Sequence, residues 1–268
     1  MSFPRFLLCA ALAATLALPL AAQQQEPTGF HSIACVKVNT GQGAAFREWV
    51  SGTVHKLCQQ LVDSGRYASM IVLRTEMPQG TDAECDYVFV TFYKGLPPEP
   101  LSAAEVGENL QKAGLSMTAE EFFKQRVELG TLVSTNITQY QTLVGGAKKG
   151  DYLVFNSMSA PDVGACVAYE QKVWKPLAEE MVKAGESDGW ALNEQVFPRG
   201  DKDKSLVSSV DLYPSWDALF KQYDSISNGW KKVHPDMDIN STMAQFGKLC
   251  TIEHTVLYKI VEVMAPGK

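Results

Sequence analysis

The chain has 268 residues, 46% of them apolar and 20% charged, an ordinary globular balance that suits one large domain or two small ones. The formal net charge is −6 and no Lys/Arg cluster occurs, which argues against a nucleic-acid partner and disfavours anionic membrane surfaces.

At the N-terminus Arg5 is the only charge before Glu26, and residues 6–22 are apolar apart from Thr15. A positive start, a Leu/Ala-rich stretch and the small Ala22 predict a secretory signal peptide over residues 1–22 and a polar lead-in over 23–31. The stretch is short and Ala-rich for a membrane span, with Pro19 near its end, so the expectation is cleavage and export to the periplasm or beyond, without membrane insertion. Of the six cysteines, Cys9 falls in this segment, and Cys35, Cys58, Cys85, Cys166 and Cys250 remain. They are scattered without C-x-x-C spacing, so no zinc site is expected. Export permits disulfides, and the odd count leaves at least one thiol unpaired or intermolecular.

Sliding the chain by 120 positions aligns Leu57 with Leu177, Gly65 with Gly185, Pro78 with Pro198, Gly80 with Gly200 and Tyr93 with Tyr213. The elements follow the same offset. Short apolar strands are predicted at 32–38 and 152–158. Each is followed by a helix, marked by Phe46, Val50, Leu57 and Leu61 in one copy and by Cys166, Val173, Leu177 and Met181 in the other. Gly65 and Gly185 stop these helices. Strands at 67–76 and 86–93, matched by 187–197 and 206–213, are joined by Pro/Gly hairpin loops. Helical regions at 102–130 and 215–250 break near Gly114 and Pro235, and closing strands span 132–144 and 253–263. The order β-α-β-β-α-β occurs twice, over residues 32–146 and 150–264, with a Gly-rich hinge at 145–150. The predicted fold is therefore α+β: two tandem ferredoxin-like units.

This arrangement resembles the dimeric α/β-barrel superfamily, in which two such units pair their antiparallel sheets into one barrel. Trp49, His55-Lys56-Leu57 and Gly65, with Tyr169, Lys175-Pro176-Leu177 and Gly185, look like the first-helix pattern of its EthD-like and NIPSNAP-like branches. Lys175 stands where the first unit has His55, so a histidine-dependent function would survive in only one half. The resemblance implies a monomer if the units pair within the chain and a homodimer if they pair across chains. The superfamily includes cofactor-independent monooxygenases and haem proteins, and fold alone does not select among them.

The candidate catalytic residues are His55, Glu194 and Asp211. The candidate ligand-binding set is Trp174, Trp190, Asn156, Tyr213 and Tyr258, an aromatic-rich wall with a polar anchor; the bland alternative is core packing. Arg74 and Asp86 are the polar strand counterparts in the first unit. His31 reads as solvated, His234 as a surface or capping residue, and His254 as the first residues of the last strand, a haem ligand only in principle. No nucleophile elbow, P-loop or metal-ligand spacing occurs. The expectation is an extracytoplasmic protein that binds a small apolar or aromatic molecule between its sheets, without a metal or other cofactor. The alternatives are a cofactor-independent oxygenase or isomerase, or a haem-binding protein of the same fold.

Overall fold

The computed structural model describes residues 29–200 and 206–267. The predicted signal peptide and most of the lead-in lie outside the described residues. The first unit comprises β1 (Phe30–Val38), α1 (Gly43–Trp49), a π-helical turn (Val50–Val54), α2 (His55–Asp63), β2 (Ser69–Met77), β3 (Tyr87–Phe92), α3 (Ala103–Lys112), α4 (Ala119–Leu129) and β4 (Gly130–Gly145). The second comprises β5 (Tyr152–Ser159), α5 (Val163–Ala184), β6 (Gly189–Phe197), β7 (Val207–Tyr213), α6 (Trp216–Phe220), α7 (Gln222–Val233), α8 (Ile239–Leu249) and β8 (Thr251–Met264).

Local chemistry fixes the helix ends. Ser102 with Glu105, and Thr118 with Glu121, form capping boxes at α3 and α4. Gly65 and Gly185 take the left-handed conformation after α2 and α5. Gly114 does the same where the α3–α4 region breaks.

Eight antiparallel strands close into one barrel in the order β1-β3-β2-β8-β5-β7-β6-β4. Within each unit the order is ferredoxin-like, and the edge strands meet at two seams, β2–β8 and β4–β6. The chain thus completes its own barrel, leaving no open edge. Closure demands a close approach at the end of the β4–β6 seam, where Gly145 pairs with Gly189. A Cβ on Gly145 would stand 2.1 Å from the Asp188 carbonyl oxygen, and one on Gly189 2.6 Å from that of Val144.

Both faces of the sheet are buried. The outer face packs under helices, with Phe46, Trp49 and Val72 in the first unit, and Trp190, Leu192, Val173 and Leu177 in the second. The inner face lines the lumen. Two disulfides differ in place: Cys35–Cys85 lines the lumen, whereas Cys166–Cys250 joins α5 to the start of β8 in the helical layer. Cys58 is a free, buried thiol. No helix among the described residues is long and apolar enough to cross a membrane.

Candidate functional site

Strand alternation assigns every side chain to the lumen or to the helical layer. On β1 the lumen takes His31, Ile33 and Cys35; on β3, Val88, Val90 and Phe92; on β7, Ser208, Val210 and Leu212. The cavity they enclose has a volume of about 600 Å³, within the size range of small-molecule sites.

Its walls are unlike. The β2–β8 seam contributes Ile71, Leu73, Tyr258 and Val263. The β4–β6 seam contributes Ser134, Asn136, Thr138 and Tyr140, facing Asn193 and Gln195. Ser208, Ser157 and His254 extend the polar side across β7, β5 and β8. A molecule with an apolar body and one polar edge matches this division.

Two polar atoms on the lining residues stand out. The Nδ1 of His31 and the Oδ1 of Asn193 are buried and have no hydrogen-bond partner. Such an atom costs about 1–3 kcal/mol unless something satisfies it. The His31 ring packs against Phe92 and Tyr140, with centroids 5.5 and 4.6 Å away. Burial lowers the His31 pKa to about 4, so the imidazole is neutral at neutral pH. Burial also raises the phenols of Tyr140 and Tyr258, the latter to about 12 with help from the Glu84 charge.

The sequence reading placed His31 in solvent; β1 instead begins at Phe30 and carries His31 inside. Extending the strand back by two residues in phase with Ile33 and Cys35 would have found it.

Of the candidate residues, only Tyr258 lines the lumen. Asn156 and Asp211 face the helices on β5 and β7. The Asn156 amide donates to Ser209 Oγ and Asp211 Oδ2, each at 3.3 Å. Burial raises Asp211 to about 7, and burial with the Asp211 charge raises Glu170 on α5 to about 8. Trp190 and Trp174 are packing residues of the helical layer, and Trp174 meets Trp230 edge-on at 6.2 Å. The Tyr213 hydroxyl bonds Gln222 Oε1 at 3.1 Å in that layer. His55 sits outside the barrel, its Nδ1 2.9 Å from Glu262 Oε2. Glu194 pairs with Arg199 and accepts from Gln141 on the outer surface. Arg74 bonds Glu76, and Asp86 holds Lys37 and the Val38 amide. The reason for the displacement is parity: because helices cover the outer face, apolar residues occupy both faces of each strand, and composition does not tell lumen from layer. Among the described residues no group of three or more metal-ligating side chains forms.

A haem would need an axial donor and cations for its propionates. His31 or His254 could supply a ring nitrogen, but among the described residues no Lys or Arg lines the lumen. The described lining could therefore hold a haem through a histidine nitrogen and offers no cation for its propionates.

No protein-family model and no curated protein matches the sequence. Solved structures share the barrel. A candidate monooxygenase of Fusobacterium nucleatum superposes with a TM-score of 0.55 at 8% identity, covering 90% of this chain and 95% of that one. An anthrone oxidase-like protein gives 0.50 at 15% identity, covering 91% and 95%. A haem-binding protein of Thermus thermophilus gives 0.47 at 12% identity, covering 88% and 92%. The fold is that of the ferredoxin-like α/β barrels. The likeness is to the barrel as a whole and does not single out the EthD-like or NIPSNAP-like branch.

Proposed function

We propose that the lumen binds a flat, largely apolar molecule with one polar edge, and that it is a site of cofactor-independent oxygenation of that molecule. The observation that carries this reading is the neutral His31, with an unpartnered Nδ1, on the wall of an otherwise mostly apolar cavity. A free imidazole nitrogen can accept a proton from an acidic C–H or O–H of the substrate. The anion so formed, held beside the ring, favours the imidazolium and offsets the cost of burial. For an activated methylene, the proton passes to His31 and the electron pair left on carbon reduces dioxygen. The peroxide anion so formed takes the proton back from His31, and the hydroperoxide then expels water to leave a carbonyl. Asn193 and the β4 polar row would orient the substrate's oxygen. Two proteins of the same fold carry names that denote oxygenation or oxidation, a candidate monooxygenase and an anthrone oxidase-like protein, which supports the reading.

The test is oxygen uptake by the purified protein with anthrone and naphthol substrates, without added metal. His31→Phe is expected to lower turnover by about a hundredfold or more while the protein stays folded. Unchanged turnover in that variant would remove His31 from the reaction. Haem binding is the second reading, favoured by the same ring nitrogen. A Soret band on reconstitution that shifts in His31→Phe would support it.

We also infer that the protein works outside the cytoplasm. The N-terminal pattern and the disulfides Cys35–Cys85 and Cys166–Cys250 support this. Detection of the mature form, starting near Gln23, in a periplasmic or culture fraction would test it.

A further inference from the structure

A second cavity, of about 330 Å³, lies outside the barrel in the first unit, between the sheet and helices α1 and α4. Ala34, Val36 and Phe89 form its floor, with Phe46, Trp49 and Phe122 among its walls. Trp49 is buried between Phe46 and Phe122, with ring centroids 5.6 and 5.7 Å away. Its indole Nε1–H is buried and has no acceptor. Arg126 borders the cavity, is exposed, and makes no ion pair among the described residues. Val127 and Leu132 beside it are exposed apolar side chains. The π-helical turn begins immediately after Trp49, and Val54 at its end lines the cavity. Such turns recur at functional sites.

The second unit shows what this place looks like when it is filled. At the offset of 120, Phe46 and Gly130 correspond to Cys166 and Cys250, which form a disulfide there. Trp49 corresponds to Tyr169, whose hydroxyl donates to the Thr242 carbonyl at 2.9 Å. Arg126 corresponds to Phe246, which is buried in the layer. In one copy the aromatic donor is satisfied, the gap is filled by a phenyl ring and the helices are clamped. In the other, the donor is buried without a partner, the phenyl is replaced by a cation and the clamp is missing.

We propose that this cleft is a binding site for a small apolar carboxylate. The tail would occupy the Ala34–Val36–Phe89 floor, and the carboxylate would accept from Trp49 Nε1–H and pair with the Arg126 guanidinium. Of the polar side chains at the site, Trp49 and Arg126 are donors only and the Thr131 hydroxyl already donates to Asn39 Oδ1, so an anionic acceptor is the complementary head group. The volume is at the small end of ligand cavities, which favours a medium-length acyl chain or a single-ring aryl acid over a long-chain lipid. The site is separate from the lumen and does not depend on what the lumen does.

The test uses octanoate as probe and 1-octanol as its neutral counterpart. The readout is the indole N–H resonance of Trp49, assigned with Trp49→Phe, together with titration calorimetry. Octanoate is expected to shift that resonance saturably. Arg126→Gln should weaken octanoate about tenfold or more while leaving octanol unchanged. Arg126→Phe, which installs the second unit's residue, should close the cleft to both. Octanoate that leaves the Trp49 indole unmoved, or that binds Arg126→Gln as tightly as the native protein, would overturn the proposal.

Discussion

The imidazole of His31 lies ring against ring with Tyr140, the centroids 4.6 Å apart, and burial lowers its pKa from about 6.5 to about 4. Above pH 6.5 this costs no stability, because neither state carries the proton. As pH falls from 6.5 towards 4 the unfolded chain takes up a proton that the folded chain refuses, and up to about 3 kcal/mol is lost. In urea melts between pH 7 and pH 4.5, the stability of His31→Phe relative to the native protein should therefore rise by up to about 3 kcal/mol on the acid side.

The carboxyls of Glu170 and Asp211 act in the opposite sense. Burial raises them to about 8 and about 7, so the folded chain keeps protons that the unfolded chain has released. Their contribution is fully present below about pH 4 and is lost as pH rises through 7 to 8. Between pH 4 and 6.5 the two slopes oppose one another. Glu170→Gln should therefore flatten the alkaline decline and expose the His31 loss more steeply, a result read from the same melts.

At the β4–β6 seam, Gly189→Ala would bring a methyl 2.6 Å from the Val144 carbonyl oxygen. A cost of at least about 2 kcal/mol is expected, seen as a lower thermal midpoint. Gly247→Ala on α8 meets no heavy atom within 4 Å and should be neutral or stabilising by up to about 1 kcal/mol. Equal effects from the two substitutions would contradict the close-approach account.

Trp190→Ala should cost about 3–5 kcal/mol, because the ring is buried against α5 in the helical layer. Ligand affinity in the lumen should change little in protein that remains folded. A large loss of affinity at unchanged stability would return Trp190 to the site.

The architecture was legible because its signals are local. Gly65 and Gly185, the paired hairpin prolines and the breaks at Gly114 and Pro235 all mark real element boundaries, since each depends on the backbone chemistry of one residue. The lumen was not legible in the same way. Asp211 and Leu212 differ by one position and lie on opposite sides of the sheet, yet non-polar residues pair with both on the adjacent strands, Val154 and Trp190 with the first and Leu153 and Gly189 with the second. His31 was missed because strand ends are fixed by pairing: its partners are Phe92 and Thr138, distant in sequence. The disulfides were hidden for a related reason, as Cys35 and Cys85 meet only once β3 pairs with β1.

Closure of the barrel within one chain has a consequence for what can occupy it. Two identical chains related by a twofold axis would present every inner side chain twice, and a guest could lie either way round with equal energy. Here the axis is broken: β4 carries Ser134, Asn136 and Thr138 where the matching positions of β8 hold His254, Val256 and Tyr258. One fused polypeptide can therefore offer the two ends of a guest different walls, so that the two ways round differ in energy.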